Sequence, residues 1–419
     1  MVKTVRWKIG ALMFLGILIN YLDRVNISQS ILVIPKSFGL TDLQKGWILS
    51  AFGIGYVLMM MIGGYAVFKF GARKALTISM LLLSLVSICC GLSFNFLSLL
   101  VCRFLVGIFE APIYPAFAAI AGIWFPKQER VKAIGLFDIG SYTGVGFATV
   151  VIVFLIAHFN WRVSFAFSGV LTFTWALIWF YYYRDSPASH PNISKQEVLH
   201  INKNVQQETP QKISVLKYLR NRKVIGISIG FFCFNYLKSF YLTWLPTYLV
   251  ETKGIKLLSY GLVGSIPIVF AIFGEILVAY IIDKLIAKGY PPTYVKKTPV
   301  CLGMILSTII IFSLFTANTL VILIMLTISY IFLVSASVGI WSIPEELAET
   351  KKEISIIGSI QNTFSNISGI IAPVVTGYFY GQTKSFLIPF IISIIVSLVG
   401  AASYWTIAGK LTVIKFSKG

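Results

Sequence analysis

The chain has 419 residues, of which 57 % are hydrophobic and only 12 % are charged. This balance excludes a soluble domain, which needs more polar residues to cover its surface. The formal net charge of +20 suggests a nucleic-acid partner, but the placement of the basic residues, described below, excludes nucleic acid and indicates membrane topology.

Apolar runs of about 20 residues, each long enough to cross a bilayer as a helix, recur along the chain. We predict twelve spans, at 8–29, 43–68, 74–95, 97–122, 132–156, 161–183, 224–251, 258–285, 298–316, 318–345, 353–380 and 385–408. The predicted fold class is therefore all-α: a polytopic protein of the lipid bilayer with twelve transmembrane helices.

A long polar segment divides these spans into six and six. It predicts an N-terminal six-helix bundle over 1–183, a cytoplasmic linker over 184–223 and a C-terminal six-helix bundle over 224–419. The loops that follow the second and eighth spans, at 64–74 and 279–289, form a weak repeat. Two pseudo-symmetric bundles with corresponding loops are typical of transporters whose halves rock about a central site.

The basic residues alternate between the two sides of the membrane. The N-terminus and every second loop after it carry 26 of the 35 Lys and Arg residues. Six more lie in the other loops, and Arg24, Arg103 and Lys238 lie inside spans. By the positive-inside rule, both termini are expected in the cytoplasm, with the protein in the inner (plasma) membrane.

Neither a metal site nor an enzyme is expected. All five cysteines fall in apolar spans without the spacing of metal ligands, so no cofactor is predicted. The three histidines lie in or beside loops, and the chain lacks the patterns of nucleophilic or zinc-dependent enzymes.

Charged residues inside the first and fourth spans are the main functional candidates. Ionised groups at membrane depth are costly unless paired or hydrated, and by default they mark the path of an ion or a charged solute. Arg24 can bind a substrate carboxylate through its planar fork of donors, or form an ion pair that only fixes packing. Asp23 and Glu110 are candidates for proton coupling, or for permanently ionised salt bridges.

The fourth span combines a second arginine with two prolines. Arg103 and Glu110 are two helical turns apart, so they share a face at about 10 Å along the axis. We therefore expect Arg103 to tune Glu110 or the cavity rather than to bind substrate alone. Pro112 and Pro115 are expected to kink this span.

Two further charged residues lie in the fifth and seventh spans. Asp138 is a third candidate for proton coupling. Lys238 holds nearly the same position in its span as Asp23 does in the first, so pseudo-symmetry predicts it across the cavity. Lys238 either anchors a second acidic group of the substrate or pairs with Asp138 or Asp23.

Neutral polar groups in the spans are expected to bond the substrate's hydroxyl groups, although helix–helix hydrogen bonds would explain each of them equally well. They are Tyr56, Ser141, Gln361, Asn362 and Asn366. Glu275, placed near the cytoplasmic end of the eighth span, is assigned no role.

Counting the charges suggests why an anion and a proton would move together. Three cations, Arg24, Arg103 and Lys238, balance the three carboxylates of Asp23, Glu110 and Asp138. An entering anion would therefore leave one uncompensated negative charge in a poorly solvated space. A proton on Asp23 or Glu110 removes that cost, so the anion and the proton would bind cooperatively.

Several motifs resemble those of a known family. The loop at 64–74 resembles the signature of the major facilitator superfamily, except that Phe68 stands where that family has Asp. The segments closest to the anion:cation symporter family are Tyr21–Asn26, Phe52–Tyr56, Arg103–Pro112, Trp124–Arg130, Leu242–Tyr248 and Asn366–Pro373. That family includes bacterial permeases for hexuronates, galactonate and glucarate and the vertebrate vesicular glutamate and sialic-acid carriers. The resemblance implies a substrate-binding role for Arg24 and protonation of Asp23 and Glu110.

These observations predict a monomeric secondary transporter that carries a small organic anion, either a sugar acid or a small carboxylate. Transport is expected to be proton-coupled symport by alternating access. An anion exchanger or exporter remains an alternative because direction follows the gradients, and so does a sodium-coupled carrier of an anion or phosphate.

Overall fold

The computed structural model describes residues 5–34, 38–126, 128–202 and 215–414, except for the side chains of Val131, Phe137, Asp138 and Lys351. Throughout this described part the regular secondary structure is helical, with no strand. The prediction of an all-α polytopic membrane protein is confirmed.

The first helices of the described chain lie between residues 5 and 202. They are α1 Val5–Ser30, α2 Asp42–Phe70, α3 Ala72–Leu92, α4 Phe96–Glu110, α5 Ile113–Trp124, α6 Arg130–His158, α7 Trp161–Tyr182 and α8 Lys195–Asn202.

The remaining α-helices of five or more residues follow residue 214. They are α9 Val215–Leu219, α10 Arg222–Thr243, α11 Leu257–Val263, α12 Ile266–Ala287, α13 Pro292–Leu306, α14 Thr319–Leu347, α15 Lys351–Thr383 and α16 Leu387–Ala402. Short helical segments follow three of these helices. They are a π-helix at Tyr248–Thr252 after α10, a 3-10 helix at Ser307–Phe315 after α13 and a π-helix at Ser403–Ile407 after α16.

Eleven stretches of the described chain are long and apolar enough to cross a membrane. The predicted eleventh span corresponds to α15, which has the length, with 33 residues, but is too polar to be counted among them. Its polar residues include Gln361, Asn362 and Asn366, which are among the candidates for substrate binding.

Helix starts and breaks follow from local chemistry. Asn95 and Ser98 form a capping box at the start of α4, and Thr350 and Glu353 form another at the start of α15, where side chains bond otherwise unpaired N–H groups. The fourth span breaks between α4 and α5 at Pro112, since proline lacks the N–H that would continue the helix. Glu110 is therefore the last residue of α4, and the kink expected from Pro112 and Pro115 stays a prediction.

The structure divides into two compact units. The first comprises Met1–Leu40 with Ala51–Pro210, and the second comprises Thr41–Ser50 with Gln211–Gly419. In the first unit α1 packs against α6 and α3 against α7; in the second, α10 packs against α15 and α13 against α16. These pairs occupy corresponding positions in the two sets of six spans.

The start of α2 belongs to the second unit and is held there by ion pairs. Lys45 Nζ lies 2.9 Å from Asp42 Oδ1 and 3.1 Å from Glu251 Oε1. Lys384 pairs with the same Asp42, and the Tyr380 hydroxyl donates to Glu251. These contacts join the first turns of α2 to the end of α15 and to the turn that follows α10.

Helix α8, in the predicted linker, is anchored to the start of α1. The Glu197 carboxylate accepts from the backbone N–H groups of Val5 and Arg6 and from Arg6 Nη1, at 3.0–3.2 Å. Arg6 Nε also donates to Glu129, which lies between α5 and α6, at 2.8 Å, and His200 contacts the same carboxylate. The hydrogen bond from Arg6, helped by His200, holds the pKa of Glu129 below its usual value.

Candidate functional site

Asp23 is enclosed by hydroxyl groups of two other helices. Its carboxylate accepts from the Ser87 hydroxyl of α3 at 2.6 Å and from the Thr172 hydroxyl of α7 at 2.9 Å. The residue is only 1 % exposed. Asp23 and its neighbour Arg24 are therefore not a pair, because successive residues of a helix point about 100° apart.

Arg24 instead forms an ion pair with Glu110 at the end of α4. Arg24 Nε donates to Glu110 Oε1 at 2.8 Å, and Nη2 contacts the same oxygen. The Arg24 side chain is 21 % exposed, whereas that of Glu110 is completely buried. The second oxygen of Glu110 has no hydrogen bond within the described part of the chain, although Asn20 lies beside the carboxyl group.

Three aromatic rings surround the Arg24 guanidinium. Its central carbon lies 4.8 Å from the ring centroids of Tyr21 and Phe52 and 5.5 Å from that of Tyr56. The Tyr21 hydroxyl is 3.2 Å from the hydroxyl of Tyr114 in α5. The negative faces of the rings attract the cation and keep it in a partly apolar environment, where a carboxylate ligand would be held strongly.

The structure places Arg103 close to Asp23 but not in contact with Glu110. Arg103 is 2 % exposed, and its Nη1 donates to the backbone carbonyl of Asp23 at 3.3 Å. Its guanidinium also lies 5.6 Å from the centroid of the Phe52 ring. In this arrangement Arg103 positions α1, while Arg24 is the more accessible of the two guanidinium groups.

Two glycines bring the aromatic rings of α2 to the charged residues. A Cβ atom on Gly107 of α4 would lie 2.0 Å from the Phe52 carbonyl oxygen, and one on Gly55 of α2 would lie 2.1 Å from that of Phe104. Only glycine permits so close a crossing of α2 and α4. The crossing places Phe52 and Tyr56 beside Arg24.

The predicted residues of the second unit lie mainly on α10 and α15. Lys238 is half-buried, with Nζ 6.0 Å from the centroid of the Phe234 ring. Gln361 is fully buried, and its Nε2 donates to the Ile340 carbonyl at 3.4 Å. Asn366 Nδ2 donates to the Asn362 carbonyl at 2.8 Å, and both residues are half-buried.

Two predicted residues lie in α6. Ser141 is buried within the first unit. Asp138 belongs to the same helix, but its side chain lies outside the described part of the structure. Its predicted role in proton coupling therefore remains a prediction.

The sequence analysis missed the hydroxyl donors of Asp23 and the aromatic cage of Arg24. Ser87 and Thr172 are unremarkable residues of apolar spans, and only the tertiary contacts distinguish them. Tyr21 and Phe52 begin segments that resemble the family motifs, but their contact with Arg24 is seen only in the structure. In the described residues, no cluster of three or more His, Cys, Asp or Glu side chains is arranged to hold a metal ion.

The Major Facilitator Superfamily family model matches residues 13–358. The chain belongs to this superfamily. Membership identifies it as a membrane transporter and not an enzyme.

Curated members of the superfamily match this chain over almost its whole length. The uncharacterized transporter YybO of Bacillus subtilis is 34 % identical and covers 98 % of this chain, which covers 95 % of YybO. The D-galactonate transporter of Escherichia coli O6:H1 is 30 % identical, with coverages of 96 % and 95 %. The Escherichia coli K12 protein named probable galactarate/D-glucarate transporter GarP is also 30 % identical, with coverages of 91 % and 89 %. These names confirm the resemblance to sugar-acid permeases.

A solved member of the superfamily has the same fold. The crystal structure of a bacterial homologue of the human lysosomal transporter Spinster superposes with a TM-score of 0.82 at 16 % identity. Each chain covers 98 % of the other. At this identity the likeness concerns the fold alone.

Proposed function

We propose that the protein carries a small organic anion, most specifically a sugar acid, together with a proton across the plasma membrane by alternating access. Both termini would lie in the cytoplasm, in agreement with the distribution of the basic residues. The observation that carries the proposal is the partly exposed Arg24 guanidinium held by the buried Glu110 carboxylate.

An anionic substrate and Glu110 compete for the same donors. Arg24 Nε and Nη2 both contact Glu110 Oε1, so a substrate carboxylate that binds this edge of the guanidinium has to displace Glu110. Displacing Glu110 while it is ionised would leave a buried, unpaired carboxylate, which is costly. Protonation of Glu110 removes that cost, so the proton and the anion bind together.

Asp23 offers a second place for a proton in the same unit. Its two hydroxyl partners can stabilise the ionised form by donating, and a hydroxyl can equally accept from a protonated carboxyl group. Arg103 also contacts this residue, because its Nη1 donates to the backbone carbonyl of Asp23. A change at Asp23 would thus reach Arg24, which is the next residue of the same helix.

Three features support a sugar acid as the substrate. Two relatives with 30 % identity carry the names of galactonate and galactarate/D-glucarate transporters. A sugar acid has one or two carboxylates for Arg24 and Lys238. Its hydroxyl groups match neutral donors and acceptors, for which we propose Tyr56, Ser141, Gln361, Asn362 and Asn366.

Uptake into proteoliposomes under an imposed pH gradient tests the proposal. Labelled D-galactonate, D-glucarate and a hexuronate would be compared, with an inward sodium gradient as the alternative driving force. We expect accumulation driven by the pH gradient and an apparent affinity that falls as the pH rises from 5.5 to 8. Equal affinity at both pH values, within about twofold, or accumulation driven only by sodium would contradict proton coupling.

The Glu110→Gln variant tests the competition directly. Glutamine is neutral at every pH, so the affinity for the anion should depend less on pH and proton-driven accumulation should fall. The matched control is Glu345→Gln, because the Glu345 side chain is 64 % exposed at the end of α14 and its ion pair with Lys296 is long, at 3.9 Å. A Glu110→Gln variant with the pH dependence of the wild type would refute this role.

A further inference from the structure

We propose that a groove between α12, α13 and α14 binds an acyl chain of an anionic phospholipid, whose phosphate group is held by Lys284 and Lys288. The groove lies within the second unit and has a volume of about 490 Å³. The inference concerns a ligand from the surrounding bilayer, so it goes beyond the proposed transport of an anion and does not depend on it.

The groove is open toward lipid and is lined mainly by apolar side chains. Leu277 of α12, Leu302 of α13 and Phe332 of α14 line it and are 36–58 % exposed. All three helices belong to stretches that are long and apolar enough to cross a membrane. Side chains exposed at that depth face hydrocarbon and not water, so a lipid tail is the ligand that such a lining accepts.

Two glycines leave space that the groove occupies. A Cβ atom on Gly274 of α12 would lie 2.7 Å from the Ile331 side chain, and one on Gly303 of α13 would lie 2.5 Å from the Phe332 carbonyl oxygen. Glycine therefore permits α14 to pack closely on both of its neighbours. Both glycines also line the groove, where their missing side chains leave room for a ligand.

The length of the groove matches one leaflet of a bilayer. Its lining extends from Gly274 to Leu285 on α12 and from Tyr294 to Leu306 on α13, which is about 16 Å and 18 Å along the helix axes. The hydrocarbon region of a bilayer is about 30 Å thick, so one leaflet contributes about 15 Å. On α14 the lining includes Ile331, near the middle of that helix. The groove thus reaches from mid-membrane to the loop between α12 and α13, which is the depth that one acyl chain covers.

Two lysines lie at the end of the groove that meets this loop. Ile281 and Leu285 line the groove, and Lys288 follows them by seven and three residues, which continues the same face of α12. Lys284 follows Ile281 by three residues and borders that face, and both lysines are exposed. Asp283 comes two residues after Ile281 and lies on the opposite side of the helix, so the charge beside the groove is positive.

The neighbouring lysines of α13 are engaged by the protein itself. Lys296 Nζ lies 2.6 Å from Glu346 Oε1, and Lys297 Nζ donates to the Gly409 carbonyl at 2.7 Å. The two lysines at the end of α12 are thus better placed for an external anion. Long lysine side chains reach from a helix end to lipid headgroups, and each one near the surface strengthens binding of an anionic lipid about fivefold. By the positive-inside rule this loop faces the cytoplasm, where the leaflet carries anionic lipids.

Native mass spectrometry of the detergent-purified protein tests the headgroup contact. Dioleoylphosphatidylglycerol, which is anionic, and dioleoylphosphatidylcholine, which is zwitterionic, would be titrated, and the affinity of the first bound lipid would be measured. We expect the wild type to prefer the anionic lipid. Lys284→Gln and Lys288→Gln should each weaken its binding about fivefold and change the binding of phosphatidylcholine little. Lys74→Gln is the matched control and should bind like the wild type, because Lys74 is exposed in the corresponding repeat segment of the first unit.

Filling the groove tests the acyl-chain contact. Val278→Trp places a large ring in the groove and should weaken binding of both lipids about tenfold, whereas Ile276→Trp, on the exposed opposite face of α12, should not. If Val278→Trp fails to insert, Leu302→Trp fills the groove from α13 and should have the same effect. Equal affinities in the wild type and the groove-filling variants would indicate a general lipid shell and overturn the inference. Weaker binding to the groove-filling variants without any effect of the lysine variants would overturn the assignment of an anionic lipid.

Discussion

The crossing of α2 and α4 at Gly107 predicts that Gly107→Ala loosens the Arg24 site. The new Cβ would lie 2.0 Å from the Phe52 carbonyl oxygen, whereas a comfortable carbon–oxygen contact is about 3.3 Å. The helices must therefore separate by about 1.3 Å. Overpacking of this kind costs about 1–3 kcal/mol of stability.

The same displacement reaches the aromatic cage. Phe52 and Tyr56 lie 4.8 Å and 5.5 Å from the Arg24 guanidinium, and an attraction of this type requires a separation within about 6 Å. A retreat of about 1.3 Å would take both rings beyond that limit. Losing 1–2 kcal/mol of positioning energy corresponds to about five- to thirtyfold weaker apparent affinity for the anion.

Thermal inactivation in detergent and the concentration dependence of uptake in proteoliposomes would measure the two effects. Gly122→Ala is the matched control, because a Cβ on that helical glycine of α5 meets no atom within 4 Å. We expect the control to behave like the wild type or to be slightly more stable, since alanine favours a helix by up to about 1 kcal/mol over glycine. A Gly107→Ala protein with unchanged stability and affinity would refute the reasoning.

Two predictions concern the ends of the helices. Lys45→Met removes the cation between two carboxylates at the start of α2 and should lower the temperature of inactivation. The control Lys256→Met changes an exposed position and should leave that temperature unchanged. Equal inactivation temperatures for the two variants would contradict this prediction. The hydrogen bond from Arg6 holds the pKa of Glu129 low. The stabilisation that the ionised Glu129 carboxylate gives to the anchoring of α8 is therefore present above the usual Glu pKa of about 4.3. It is lost as the pH falls through the lower pKa of the folded state. The hydrogen-exchange protection factors of α8, which correct for the slower intrinsic exchange in acid, should therefore fall as the pH drops below about 4.3. In Glu129→Gln they should already be lower than in the wild type at pH 6, although Glu197 still holds the helix; a variant as protected as the wild type at pH 6 would exclude this contribution of Glu129.

The sequence was sufficient for the class of the protein and for most of its helices. Hydropathy over some 20 residues is a local property, so most of the spans could be predicted without knowing any contact. The break at Pro112 was predictable for the same reason, since proline acts on its own turn of helix. Charged residues such as Arg24 and Glu110 also stood out, because the apolar runs around them make their presence costly.

The contact partners of these charged residues could not be predicted from the sequence, because they come from helices far apart in the chain. Glu110 is 86 residues from Arg24, and Thr172 is 149 residues from Asp23. The expectation that Arg103 acts on Glu110 followed from their common face on one helix, and the charge of Arg103 does act on that carboxyl group. Its contact with the Asp23 carbonyl of α1, 80 residues away in the chain, could not be predicted in this way.

Composition and hydropathy by themselves thus determined a polytopic membrane protein with a few costly charges inside it. Only the tertiary structure decided which oxygen and nitrogen atoms those charges meet. The physical reason is that burial of apolar length is decided within each helix, whereas the pairing of buried polar groups is decided by the crossing of separate helices, such as the one at Gly55 and Gly107.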